Sequence, residues 1–264
     1  MKRIIAVLIV ITVSIGGCKA ILYVFSDPLP RSLNNQETDQ RAEEIIDDMW
    51  QAINAQAWSK AEGVEWTFRN SRHYVWHKRL ARVRVDLSDS MSVYIDTPTG
   101  RGRAFKLGQP LDVLTEAKYV VKAIKHFNND SFWLAAPFKV RDHGTRRSLI
   151  SDQEGEGVLV HYASGGTTPG DSYLWRLDTG HKPQSWQLWV QLIPIKGVVF
   201  TWDDWRLTSS GALISHLHRS QLFDVFLRDV KVTPTFEELN IKDSYLTSSE
   251  WESLLNEPLL RSDP

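Results

Sequence analysis

Two histidines in the last quarter of the chain are spaced as metal ligands on a strand could be. His216 and His218 flank Leu217, so a strand would place both imidazoles on one face. A zinc site needs three or four protein ligands, and the neighbouring sequence offers no third one. We therefore predict solvent-facing histidines and no metal. His73 and His77 would also share a face, and a basic strand is the simpler interpretation there.

Adjacent carboxylates occur at Asp203 and Asp204, within a predicted strand over residues 198–207. Neighbouring residues of a strand point to opposite faces, so this pair cannot work side by side as acid and base unless a bulge intervenes. Asp204 would share a face with Phe200 and Trp202. That placement leaves open a buried carboxylate with a raised pKa.

Three arginines form a small basic cluster in the middle of the chain. Arg141, Arg146 and Arg147 surround the pair His143-Gly144. Such a cluster could bind a lipid phosphate, although a charged loop is the usual explanation.

The sequence motifs of common enzyme classes are missing. The chain has no nucleophile elbow, phosphate-binding loop, zinc-helix motif or dinucleotide fingerprint. Its single cysteine, Cys18, excludes an internal disulfide and argues against thiol catalysis or cysteine-ligated zinc in the folded domain. We therefore predict a protein that is not an enzyme and that has no cofactor.

Cys18 closes an N-terminal segment with the three parts of an export signal. Lys2 and Arg3 precede an uncharged apolar run over residues 4–15, and two glycines precede the cysteine. The ending Ile-Gly-Gly-Cys resembles the lipobox of bacterial lipoproteins, whose cysteine is acylated and becomes the mature N-terminus. This interpretation predicts lipidation at Cys18, with residues 1–18 as the signal.

An uncleaved anchor is the competing interpretation. Residues 4–25 are apolar apart from Lys19 and a few small polar residues, close to the ~20 residues that cross a bilayer. Simple cleavage and release is a third alternative. Lipidation or an anchor would attach the domain to a membrane of the bacterial cell envelope, facing the periplasm or the exterior.

The remainder of the chain divides into a tether and one domain. Residues 19–36 contain two prolines and a polar string, which is typical of a tether, and residues 37–264 form a single domain. Without Lys2 and Arg3, the 31 basic residues become 29 against 32 acidic ones. There is no basic excess of the kind that indicates a nucleic-acid partner.

Periodicity predicts the order helix, strands, helix, strands. Apolar residues at spacings of three and four predict helices over residues 38–53 and 112–128. Alternation with a period of two predicts the strands, and residues 131–138 follow the second helix as a separate apolar segment. We expect an α+β fold: a strongly curved antiparallel sheet, a half-open β-barrel of about 10–11 strands, with helices covering its open side.

Aromatic residues are in excess, with 11 Trp, 7 Tyr and 10 Phe. A filled core explains any one of them, whereas a lined cavity is the functional interpretation. Trp186 and Trp189 are three positions apart, as are Trp202 and Trp205. The two members of each pair should therefore point to opposite faces of their strand. The predicted cavity lining comprises Trp66, Phe68, Phe127, Phe132, Trp133, Leu134, Phe138, Trp186 and Trp202.

One segment resembles a known family. The residues NDSFWL over 129–134, followed by PFK over 137–139, Asp142 and Gly144, are similar to a segment of the bacterial lipoprotein-sorting (Lol-type) superfamily. The resemblance covers the architecture of residues 38–232. It implies a curved sheet closed by helices, with a cavity that accommodates acyl chains or lipid.

Three functions follow as hypotheses. The first is a membrane-tethered protein that binds a lipid or a lipoprotein acyl chain in an apolar cavity. The second is an envelope glycan-acting enzyme or sugar-binding protein, which requires exposed tryptophans and paired carboxylates across a cleft. The third is a structural envelope lipoprotein with a filled core.

Overall fold

The computed structural model describes residues 26–30, 40–164, 168–247 and 250–256. The predicted export signal, Cys18 and most of the tether lie outside these residues. Within them, no helix is both long enough and apolar enough to cross a membrane.

The described chain is an α+β structure whose strands are all paired antiparallel. Fourteen strands form two sheets, and neither sheet closes into a barrel. The expectation of one sheet with about 10–11 strands is therefore wrong in strand number and continuity. The strands are β1 (Gly63–Phe68), β2 (Arg72–His77), β3 (Arg82–Ser88), β4 (Met91–Asp96), β5 (Gly102–Lys106), β6 (Gln109–Pro110), β7 (Thr145–Asp152), β8 (Gly155–Tyr162), β9 (Ser172–Leu177), β10 (Pro183–Trp189), β11 (Val198–Thr201), β12 (Asp203–Leu207), β13 (Leu213–His218) and β14 (Val225–Thr233).

The first sheet has nine strands in the order β12-β13-β14-β1-β2-β3-β4-β5-β6. Its alternation matches the sequence pattern: Val64, Trp66 and Phe68 of β1 are buried, while Glu65 and Thr67 between them are half-buried. Strand β1 pairs with β2 on one side and with β14 on the other. The C-terminal strands thus return beside the first one.

The second sheet has five strands in the order β11-β10-β9-β8-β7 and meets the first sheet at one corner. Trp202 separates β11 from β12, and its N–H donates to the carbonyl oxygen of Gln184 in β10 at 2.8 Å. The N–H of Thr201 donates to the carbonyl oxygen of Arg219, just past β13, at 2.9 Å. Asp204 follows with a φ of 54°, so the chain turns sharply from one sheet into the other.

Five α-helices occur among the described residues. The first, α1, buries Ala42, Ile45, Ile46 and Met49, which confirms the predicted amphipathic helix. They are α1 (Gln40–Ala52), α2 (Ala55–Lys60), α3 (Val113–Ala135), α4 (Ser244–Thr247) and α5 (Glu250–Asn256), with 3-10 helices at Ala136–Lys139 and Glu237–Leu239.

Helix α3 extends about two turns beyond the predicted end near residue 128. The Asn128-Asn129-Asp130 run does not stop it, because the Asp130 carboxylate is fully buried and bonded to β2 rather than to its own backbone. Residues 131–135 therefore belong to the helix instead of a separate segment. Pro137 falls in the first turn of the following 3-10 helix, a position that needs no backbone donor.

The main core lies between the inner faces of the two sheets and the helices α1 and α3. A second apolar cluster lies on the outer face of the first sheet, where the C-terminal segment covers Val75 and Tyr94. A third, around Leu159, Leu174 and Trp189, lies on the outer face of the second sheet.

Candidate functional site

A cavity of about 680 Å³ lies between α3 and the inner faces of both sheets. Its wall combines residues of α3 with residues of β1, β2, β8, β9 and β10 and of the loops that join them. Leu192, which is 60 % exposed, stands at its rim, so the cavity opens to solvent. Its volume lies within the roughly 300–1,000 Å³ of typical ligand sites.

One wall of the cavity is an aromatic cluster held between α3 and the second sheet. The ring of Phe132 lies 5.1 Å from that of Tyr173, 5.5 Å from Tyr162 and 5.8 Å from Trp186, measured between centroids. Trp133 meets Trp186 edge to face at 5.2 Å. These separations are those of attractive aromatic pairs, so the wall is packed and preformed.

The opposite wall comes from the first sheet and the short helix α2. Trp76 of β2 lies edge to face with Phe127 at 5.3 Å and with Trp58 at 6.3 Å. Phe68 completes this side from β1. Both walls therefore present aromatic faces and edges to the same space.

The structure places the nine predicted lining residues in two groups. Five of them line the cavity and four lie in the core beside it. Trp66 stacks on Tyr74 at 4.4 Å, Phe138 stacks on Trp58 at 4.8 Å, and Leu134 and Trp202 are 1 % and 2 % exposed. The five at the cavity are Phe68, Phe127, Phe132, Trp133 and Trp186.

Sequence reasoning missed several lining residues. Trp58, Trp76, Tyr162 and Tyr173 line the cavity without having been singled out. Trp76 shares a strand face with the buried Tyr74, so alternation along β2 was the signal that could have found it. The contribution of the loop after β10, through Leu192, leaves no periodic signal.

A buried ion pair connects α3 to the cavity wall. Asp130 is fully buried and accepts a hydrogen bond from Arg72 Nε at 2.7 Å and one from Tyr74 Oη at 2.5 Å. Burial and the neighbouring Asp130 charge raise the pKa of Tyr74, so this phenol stays protonated. Arg72 also lines the cavity, and Asp130 therefore fixes a cationic side chain at its edge.

Two carboxylates line the far side of the cavity, and both have partners. Asp171 accepts from Thr168 Oγ1 at 2.5 Å and from the Gln191 N–H at 3.0 Å. Asp142 pairs with Lys139 at 2.7 Å. Their bonds position loops at the cavity.

The prediction that His216 and His218 face solvent is wrong. His218 is fully buried, with its ring 4.3 Å from that of Trp202 and 5.5 Å from that of Trp133, and His216 is 8 % exposed. Burial lowers the pKa of His218 to about 4 and also lowers that of His216. Within the described ranges, no three His, Cys, Asp or Glu side chains converge as metal ligands would.

Asp204 has a left-handed backbone conformation (φ 54°), although β12 and β13 pair in regular register, and two further expectations are wrong in this region. Asp204 is exposed and bonded to Arg206 at 2.7 and 3.0 Å, which holds the pKa of its carboxyl below the usual range rather than above it. Trp202 and Trp205 stack at 5.9 Å on the same core instead of pointing apart, because the positive φ of Asp204 breaks the alternation. For Trp186 and Trp189 the prediction is confirmed, since they join clusters on opposite faces.

The basic cluster serves as a structural contact in this structure. Arg141 pairs with Glu43 at 2.8 Å and with Asp47 at 2.7 Å, and Arg147 also bonds Glu43. These contacts attach α1 to the loop before β7 and to β7 itself. Arg141 and Arg147 therefore have partners other than a phosphate.

Comparison with known proteins finds distant similarity in structure. No protein-family model matches the chain, and no curated protein matches it. Among solved structures, it is similar to a candidate outer membrane lipoprotein-sorting protein domain from Vibrio parahaemolyticus, with 8% sequence identity and a TM-score of 0.36. The match covers 81% of this chain and 100% of that domain. A similarity this low carries no argument about function.

Proposed function

We propose that the protein binds a lipid or a lipoprotein acyl chain in the cavity between α3 and the two sheets. The observation that carries this proposal is a preformed opening of about 680 Å³ whose two walls are aromatic. Each methylene transferred from water into such a site contributes about 0.8 kcal/mol. Affinity for a long chain then needs few polar contacts, in agreement with the missing enzyme motifs.

The polar residues at the cavity favour a ligand with a polar end. Arg69, Arg72, Lys139 and His143 line it together with the aromatic side chains. Guanidinium and ammonium groups bind the carboxylate of a fatty acid or the phosphate of a phospholipid. We infer that the bound molecule is an amphiphile whose chain lies against the aromatic walls.

We infer a binding protein of the cell envelope rather than an enzyme. The N-terminal sequence supports membrane attachment, through acylated Cys18 or through an apolar anchor. The glycan-acting alternative has less support, because the lining carboxylates Asp142 and Asp171 are engaged by their own neighbours.

Displacement of a fluorescent fatty-acid analogue tests the proposal directly. The Phe132→Glu variant places a carboxylate in the aromatic wall, where its burial is unfavourable, so affinity should fall at least tenfold, the equivalent of about 1.4 kcal/mol. The Ser131→Trp variant adds bulk at the cavity without a charge and should also weaken binding. Phe105→Glu is the matched control, since Phe105 is a half-buried phenylalanine on the outer face of the first sheet.

Denaturant midpoints of the same variants separate binding from folding. Phe105→Glu should bind the fluorescent analogue with wild-type affinity, even if its denaturant midpoint falls. Native mass spectrometry of the gently purified wild type should show bound lipid mass. The proposal fails if the wild type neither retains a lipid nor binds a fatty acid or phospholipid.

A further inference from the structure

The chain is fixed to the second sheet at the residue where its N-terminal apolar run ends. Ser26 directly follows the apolar residues 20–25. The N–H of Asp27 donates to the carbonyl oxygen of Lys196 at 3.0 Å, and the N–H of Lys196 donates to Ser26 Oγ at 3.0 Å. Trp189 Nε1 donates to the carbonyl oxygen of Asp27 at 2.9 Å. The segment 26–30 therefore docks on the hairpin formed by β10 and β11.

A close backbone approach reinforces this docking. A side chain at Gly197 would place its Cβ 2.6 Å from Cβ of Asp27, and the φ of Gly197 is +75°. Only glycine meets both requirements without strain. The point where the chain leaves the predicted membrane segment is thus held at one place on the molecule.

The loop that receives this segment is apolar at its tip. Residues 192–195 read Leu-Ile-Pro-Ile, with no charge and no hydrogen-bonding side chain. Leu192 is 60 % exposed although it is a large aliphatic residue. Lys196 Nζ bonds back to the carbonyl oxygens of Val190 and Ile193 at 2.5 and 3.2 Å. The loop is therefore internally braced: Ile193 packs against the main core, while Leu192 and Pro194 are exposed.

The same loop belongs to the cavity rim, and a second apolar loop lies at that rim. Val190, Leu192 and Ile193 line the cavity, as does Phe223 of the β13–β14 loop. Phe223 and its neighbour Leu222 are 37 % and 47 % exposed. Arg69 lies over the Phe223 ring, 5.3 Å from its centroid. An arginine beside exposed aromatic and aliphatic groups suits the boundary between lipid headgroups and acyl chains.

We propose that these two loops, residues 192–195 and 222–223, are a membrane-contact surface that opens the cavity toward bilayer lipid. The argument for a bilayer as the occupant is the position of Ser26. Cys18 lies eight positions before it, so an acylated cysteine can be at most about 29 Å away along a fully extended chain. An anchor that ends at Phe25 would hold the loop at the membrane surface directly. The ligand would then pass between bilayer and cavity without crossing water, an extension that rests on the proposed function.

Site-specific photocrosslinking in the membrane-bound full chain tests the contact. A photoreactive amino acid replaces Leu192 in one variant and Phe223 in another, in vesicles of phosphatidylethanolamine and phosphatidylglycerol. Leu107 and Leu207, which are 76 % and 72 % exposed, are the matched controls away from the rim. Lipid adducts should form several-fold more at the two rim positions. Equal labelling at all four positions, or adducts to protein instead of lipid, would overturn the proposal.

Loading kinetics separate this surface from the cavity itself. Leu222→Asp, on the part of the surface that does not line the cavity, should slow the uptake of a fluorescent phospholipid from vesicles several-fold, leaving the affinity for a soluble fatty acid and the denaturant midpoint unchanged. Leu207→Asp should alter none of the three. Lipid adducts at position 192 in a protein whose cavity binds no lipid would support the contact surface and refute the proposed function. Unchanged uptake by Leu222→Asp would refute the contact surface.

Discussion

His218 is a neutral base enclosed by tryptophan rings beside the cavity. Burial lowers its pKa from an ordinary value of 6.5 to about 4. Between these values the unfolded chain takes up a proton at this residue while the folded chain does not, so stability is complete above 6.5 and falls as the pH decreases. The slope from one such group approaches about 1.4 kcal/mol per pH unit. Denaturant midpoints measured between about pH 5 and 6.5 should therefore decrease toward acid, and His218→Gln should flatten this dependence.

His73 provides the control for this measurement. Its hydrogen bond to Asp86, followed by that to Glu65, raises its pKa to about 9. It is therefore protonated in the folded chain and largely so in the unfolded chain at acid pH, and the stability it contributes is complete below 6.5 and lost as the pH rises from 6.5 through 9. His73→Gln should leave the slope between about pH 5 and 6.5 unchanged. If both variants give the wild-type slope, His218 is not the group that titrates.

For individual residues, the sequence predicts which strand side chains are apolar and point inward, but not how deeply they are buried. Phe68 and Trp66 occupy the same face of β1, yet Phe68 borders the cavity while Trp66 is packed against Tyr74. The difference comes from where α3 crosses the sheet, which periodicity does not encode. His218 was misplaced for a related reason. Its burial depends on the corner between the two sheets. Trp202, the residue between β11 and β12, forms that corner and covers the His218 ring.

Helix α3 is the element that organises the cavity, and Asp130 attaches it to β2. Replacing Asp130 by Ala would leave the Arg72 guanidinium and the Tyr74 hydroxyl without their shared acceptor. Loss of one partner of a buried pair costs about 3–5 kcal/mol. The denaturant midpoint of Asp130→Ala should fall accordingly. Asp142→Ala, which removes an exposed ion pair with Lys139, is the comparison and should change stability by under about 1 kcal/mol.

Elements with a regular period were predictable, and the exceptions have a physical cause. The face of α1 and the alternation of β1 and β3 follow directly from the sequence. The length of α3 does not, because residues with weak helical propensity at 128–130 are stabilised by a tertiary ion pair. The exchange between sheets at β11 and β12 was hidden as well, since no glycine or proline interrupts residues 198–207, which the sequence predicts as one strand.

At the scale of the whole molecule, the first sheet is the middle of three layers. Helix α3 covers its inner face, and the C-terminal segment covers its outer face. Trp251 of α5 is 1 % exposed and packs in the outer cluster with Leu246 and Phe236. Trp251→Ala should destabilise the protein by about 3–5 kcal/mol, as large-to-small changes in a core do. Fatty-acid affinity of the folded fraction should stay at the wild-type value, because the cavity lies on the opposite face. If Trp251→Ala lowered the fatty-acid affinity as well as the stability, the inner and outer faces of the first sheet would be coupled.

Two open sheets have four edge strands: β11 and β12 meet at the corner between the sheets, and neither of the two edges away from that corner is a good template for another strand. Strand β6 is two residues long and ends in Pro110, which has no N–H to offer. Strand β7 is longer, but α1 packs against it and Arg146 and Asp152 are exposed along it. Edge-to-edge polymerisation is disfavoured at both ends. The protein can thus keep its aromatic-lined cavity open to solvent without offering, at these two edges, a seed for fibrils.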